Sequence, residues 1–150
     1  MNLLLDTNSL VDYFGRRRPY YDEWYKLEVM SELGDASLWV SSESFTDAFY
    51  LLRKAVDPVA LQTAFVESLD FLHVCSVGEQ EIQEAAKRSW PDFEDCLVSI
   101  CAEKVGADCI ITRDKKGFAR CGIPACSIPE FFDRVKEEYG IEYDMIDLSE

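Results

Sequence analysis

Apolar and polar residues follow two rhythms along this chain. Residues 2–5 (Asn-Leu-Leu-Leu) form a short apolar run that stops at Asp6, and read as a buried parallel strand. Residues 7–14 place Leu10, Val11 and Phe14 at helical spacing before Gly15. Pro19 opens a second helix over 19–33, with Tyr20, Trp24, Leu27 and Met30 near one face, and Gly34 closes it. Leu38, Trp39 and Val40 form the next strand. Ser41 and Ser42 are N-cap candidates for a helix over 43–55, and Asp57-Pro58 caps another that runs to Leu69. Residues 71–75 make a third strand, and 78–89 a polar helix. Pro91 interrupts, and a helix over 93–105 ends at Gly106. Residues 109–112 are a fourth strand, 113–124 a loop and 125–127 a short fifth strand. Ser127 and Glu130 resemble a capping box for a last helix ending at Tyr139.

Strand and helix alternate throughout. The pattern predicts an α/β fold: a three-layer α/β/α sandwich around a central, mostly parallel sheet of four to five strands. Neither repeat nor linker divides the 150 residues, so one domain is expected over 1–139, followed by an acidic tail, 140–150, that packs loosely. An apolar content of 48% argues against disorder. No apolar run approaches the ~20 residues of a membrane span, and no signal-like segment opens the chain, so a cytoplasmic protein without a membrane partner is expected.

Six cysteines occur without a C-x-x-C, and His73 is the single histidine, which disfavours structural zinc. The cysteines read as free thiols, with Cys121 and Cys126 able to pair if oxidised. His73 lies in an apolar strand run and reads as structural.

The acids carry more information. In open α/β sheets ligands bind at the carboxyl ends of the strands. Asp6 ends the first strand, Glu43 follows the second, and Asp114 follows the fourth. Asp95 lies in the first turn of the helix before the fourth strand, and Asp92 is three residues upstream. Each acid alone could be a helix cap favoured by the dipole. Together, without basic partners, they would repel one another unless a cation joined them, and an all-carboxylate set suits Mg²⁺ or Mn²⁺.

Four stretches then resemble the PIN domain family, the nuclease fold of VapC-type toxins. They are Leu4-Leu5-Asp6-Thr7-Asn8, Val40-Ser41-Ser42-Glu43, Asp92-Phe93-Glu94-Asp95-Cys96-Leu97, and Ile110-Ile111-Thr112-Arg113-Asp114 with Gly117-Phe118. The resemblance implies a metal-dependent ribonuclease with Mg²⁺ or Mn²⁺ on Asp6, Glu43, Asp95 and Asp114. It also implies hydrogen-bonding support from Asn8 and Thr112, and cleavage to a 5′-phosphate and a 3′-hydroxyl. Cys96 stands where the family often has Ala, a change of little size. Asp92 is either a fifth acid or a cap, and the cap is preferred. The resemblance further implies an RNA substrate, an antitoxin partner and a homodimer.

The net charge of −14, from 15 basic and 29 acidic residues, opposes loose nucleic-acid binding. Seven of the bases nevertheless fall in two loops after acid-ending strands: Arg16, Arg17 and Arg18, then Arg113, Lys115, Lys116 and Arg120. A basic rim around an acidic centre suits a phosphate polymer. Tyr13 and Phe14 read as core, with base stacking as the other use. A dehalogenase-type phosphatase needs a second Asp where Asn8 stands. The alternative from another class is a non-catalytic PIN-like module that binds RNA or protein, with the aromatic helix 19–33 as its surface.

Overall fold

The computed structural model describes residues 1–144. Its elements are β1 (Asn2–Leu5), α1 (Thr7–Phe14), α2 (Tyr20–Glu32), β2 (Ser37–Ser41), α3 (Ser42–Leu52), α4 (Pro58–Ser68), β3 (Leu72–Cys75), α5 (Glu79–Arg88), α6 (Phe93–Val105), β4 (Cys109–Ile111), β5 (Ala125–Cys126) and α7 (Ile128–Tyr139). A 3₁₀ turn, Lys116–Phe118, interrupts the expected loop. Helix α3 is a turn shorter than its apolar pattern suggests. The N–H groups of Ala55 and Val56 both return to the Leu52 carbonyl and close the helix there.

All four strand pairings are parallel, in the order β3-β2-β1-β4-β5. The alternation within Leu3-Leu4-Leu5 decides which helices cover which face. Leu3 and Leu5 join Leu38, Val40 and Ile111 in the larger core, under residues of α1, α2, α3, α4 and α7. Leu4 points the other way and packs with Ile110 on Val98, Cys101 and Ala102 of α6. Helix α5 covers α6 through Ala85, Leu97 and Ile100. A sheet buried on both faces explains why β1 and β4 read as unbroken apolar runs.

Side-chain caps start the helices where the sequence places them. Ser41, Asp57, Asp92 and Ser127 each accept a backbone N–H in the first turn of α3, α4, α6 and α7. Asp92 is thus the α6 cap, bonded to Asp95 N–H at 3.0 Å.

Two expectations are corrected. The loose tail does not begin at 140: Tyr143 is buried against Phe132 and donates to Asp35 at 2.7 Å. Residues 145–150 of that tail lie outside the described residues. Cys126 lies against Cys109, Sγ to Sγ 2.7 Å, and not against Cys121, because the β4–β5 register sets Cys126 beside Ile111 on the Cys109 face. All six thiols are free. No helix of the described residues is long and apolar enough to cross a membrane.

Candidate active site

Strand order reverses between β1 and β4, since the chain builds outward to β2 and β3 on one side and to β5 on the other. The crevice at the carboxyl ends of β1 and β4 is therefore where such a sheet binds ligands. Asp6 stands there, 5% exposed, as the N-cap of α1. Its Oδ1 accepts the Thr7 N–H at 2.8 Å, and its Oδ2 accepts the Thr112 hydroxyl at 2.8 Å. Thr112 Oγ1 in turn receives Asn8 Nδ2 at 3.2 Å and the Asp114 N–H at 3.0 Å. One hydroxyl thus ties Asp6, Asn8 and the Asp114 backbone together.

Asp95 arrives from the first turn of α6. Its carboxylate lies over Gly117: a Cβ on that glycine would overlap Asp95 Oδ2, and would stand 3.4 Å from Asp114 Oδ2. Asp95 and Asp114 therefore reach the same point in space, and the missing side chain of Gly117 makes the room. Asp6, Asn8, Asp92, Glu94, Asp95 and Asp114 line one open hollow of about 220 Å³, with Thr7, Val11, Leu51, Arg17 and Arg113.

The electrostatics follow from that crowding. Burial pushes Asp6 up to about 6, with Glu94 and Asp114 adding and the Thr112 hydrogen bond opposing. Asp95 is pushed up to about 7, by burial first and then by Asp92, Asp6, Asp114 and Glu94. Carboxyls held this far above their ordinary range are short of positive charge. An oxygen-only donor set of this kind fits a hard divalent cation. Among the described residues no three acids close into a ready cage.

Glu43 does not join the group. It is exposed on the first turn of α3 and lies outside the lining of the hollow. Asp47, one helical turn later, is close enough to raise Glu94, and is itself raised by burial. Four residues on, Leu51 lines the hollow. Asp47 and Glu94 are the acids that sequence reasoning missed. For Asp47 the signal was the i, i+4 spacing of 43, 47 and 51 on α3; Glu94 stood next to Asp95 in the first turn of α6.

The bases divide. Arg17 borders the hollow. Arg113 also borders it, but its guanidinium is bonded to Asp12 at 2.7 and 3.1 Å. Arg18 pairs with Asp22 and Lys115 with Glu130, both exposed pairs that solvent leaves weak. Lys116 is exposed, and Arg16 turns to a separate cavity of about 390 Å³ beside Tyr13, Phe14 and Phe71. Phe14 of α1 is a core residue; on the second helix Trp24 is buried, Tyr21 and Tyr25 are half-buried and Tyr20 is exposed, so only part of its aromatic face is spent inside. His73 sits on the edge strand against Trp39, at 5.0 Å between ring centroids, and away from the acids.

A family model described as the PIN domain matches residues 2–116. The chain is 27% identical over 139 residues to Ribonuclease VapC1 of Aquifex aeolicus, covering 88% of this chain and 94% of that one. Two solved structures share the fold. VapBC-1 of nontypeable Haemophilus influenzae superposes with a TM-score of 0.65 at 18% identity, over 86% of this chain and 99% of that one. VapC20 of Mycobacterium tuberculosis, described as a sarcin-ricin loop cleaving toxin, superposes with a TM-score of 0.64 at 15% identity, over 81% and 95%.

Proposed function

Because the chain belongs to the PIN domain family, we propose that it is a metal-dependent ribonuclease and the toxin of a toxin–antitoxin pair. The observation that carries the reading is the meeting of Asp6, Asp95 and Asp114 at the β1/β4 crevice, with two of the three carboxyls raised by burial first and by neighbouring acids second. The likeness to Ribonuclease VapC1 over nearly the whole chain supports the reaction class. The VapBC-type neighbours support an antitoxin as partner.

In this reading Asp6, Asp95 and Asp114 hold Mg²⁺ or Mn²⁺. Asp47 and Glu94 supply the further negative charge that Glu43 was expected to bring. A divalent cation, when bound, supplies charge neutralisation at the phosphate and a water acidic enough to attack at neutral pH. The chain's own residues do the rest. Thr112 fixes the Asp6 carboxylate and accepts the Asp114 backbone N–H, Asn8 steadies that hydroxyl, and burial keeps Asp6 still. Arg17, on the rim, meets the phosphates of single-stranded RNA, with Arg18 and Lys116 exposed outside the hollow's lining. No histidine or lysine is needed as a base.

Expression in a bacterial host tests the toxin reading. Growth arrest that disappears in Asp6→Asn is the expected result. Arrest that survives the substitution would indicate a binding module whose effect does not pass through the acids.

A further inference from the structure

One buried charge takes no part in the acidic hollow. Asp12, six residues beyond Asp6 in α1, is 2% exposed, yet the hollow's lining does not include it. Its two oxygens receive Nε and Nη2 of Arg113, a two-pronged pair with defined geometry. The Tyr20 ring covers the guanidinium, 4.1 Å from its central carbon. Arg113 is the residue before Asp114 and borders the hollow, so it is a cation close to the acids. Arg113 keeps 36% of its side chain exposed, so the pair is half buried and contributes modest net stability. The use of the pair lies in where it puts Arg113.

We infer that Asp12 is a positioning residue: it draws the Arg113 guanidinium to the α1–α2 side of the β4 tip and so leaves the hollow's acids free for a divalent cation. Without Asp12, Arg113 is an internal counter-charge beside Asp114, competing with the metal for the same carboxylates. The inference rests on the reading of the hollow as a cation site.

The test is titration of Mn²⁺ into metal-free protein by calorimetry, with no RNA present. The variants are Asp12→Asn, Asp12→Asn/Arg113→Gln and Arg113→Lys. Asn keeps the shape of Asp12 and one acceptor, and melting curves check the fold. Asp12→Asn should weaken Mn²⁺ by about tenfold or more, and the double variant should return to within about threefold of the natural protein. Arg113→Lys keeps the charge but loses the fork, and should also weaken Mn²⁺ should Asp12→Asn fold poorly. Mn²⁺ affinity unchanged in Asp12→Asn, or weakened and not rescued in the double variant, would overturn the inference while leaving the nuclease reading standing. A natural protein that binds no Mn²⁺ and cleaves no RNA would remove the reading itself, and the inference with it.

Discussion

Replacing Gly117 by Ala separates the positioning of the acids from the stability of the fold. Gly117 lies in the 3₁₀ turn after Asp114, outside the left-handed region, so its backbone admits a side chain without strain. The space does not. An added Cβ would overlap Asp95 Oδ2, would lie 3.0 Å from Asp95 Cγ and 3.4 Å from Asp114 Oδ2. The Asp95 carboxylate must then move by roughly an ångström, and a misplacement of that size costs about 10²-fold in rate. That corresponds to about 2.7 kcal/mol of lost transition-state stabilisation. Folding moves in the opposite sense: Ala for Gly at a strain-free position stabilises by about 0.4–1 kcal/mol through the unfolded chain. The assay pairs kcat/KM on a labelled single-stranded RNA with the melting temperature of the metal-free protein. The expected result is a hundredfold loss of cleavage at equal or higher Tm. Natural cleavage rates in Gly117→Ala would refute the argument, since Asp95 would then tolerate displacement.

Three further outcomes follow from the same geometry. Asp6 and Asp95, at about 6 and about 7, keep protons in the folded state at pH values where the unfolded chain, near 3.9, has lost them. The folded state then binds more protons between about pH 4 and 7, so the metal-free protein loses stability as pH rises through that window. Melting in EDTA should show this, with a smaller loss in Asp95→Asn; equal slopes for the two proteins would count against a raised Asp95. Arg17→Gln should raise KM and reduce the slope of log affinity against log salt by about 0.7, the share of one phosphate contact on a single strand. Asp92→Ser should keep the α6 cap and weaken Mn²⁺ far less than Asp95→Asn does, whereas Asp92→Ala should cost about 1 kcal/mol of stability in urea. Loss of Mn²⁺ affinity in Asp92→Ser would make Asp92 a ligand.

The order of elements was legible because parallel strands buried on both faces are written as apolar runs, and because Asp6, Asp92 and Asp114 punctuate them. The site was legible as far as strand ends define it: Asp6, Asp95 and Asp114 meet where the topology says ligands bind. What lies on a helix flank was harder. Glu43 and Asp47 are one turn apart on α3, and which of them faces the acids depends on how α3 seats on α1, where Ser44 Oγ meets Thr7 Oγ1 at 2.9 Å. Arg113 read as a free rim cation because its partner, Asp12, lies 101 residues away in sequence. In sequence Gly117 stands out only within the PIN-like stretch that ends in Gly117-Phe118, since only the folded chain puts Asp95 above it. Tyr143 was assigned to a loose tail on charge alone, and its contacts with Phe132 and Asp35 are tertiary.

The most direct test is cleavage of end-labelled single-stranded RNA by the purified natural protein and by Asp95→Asn, in EDTA and after addition of Mg²⁺ or Mn²⁺. The account predicts cleavage that leaves 3′-hydroxyl ends, that appears only with the metal, and that is lost in Asp95→Asn. Cleavage in EDTA, or equal cleavage by Asp95→Asn, would contradict it.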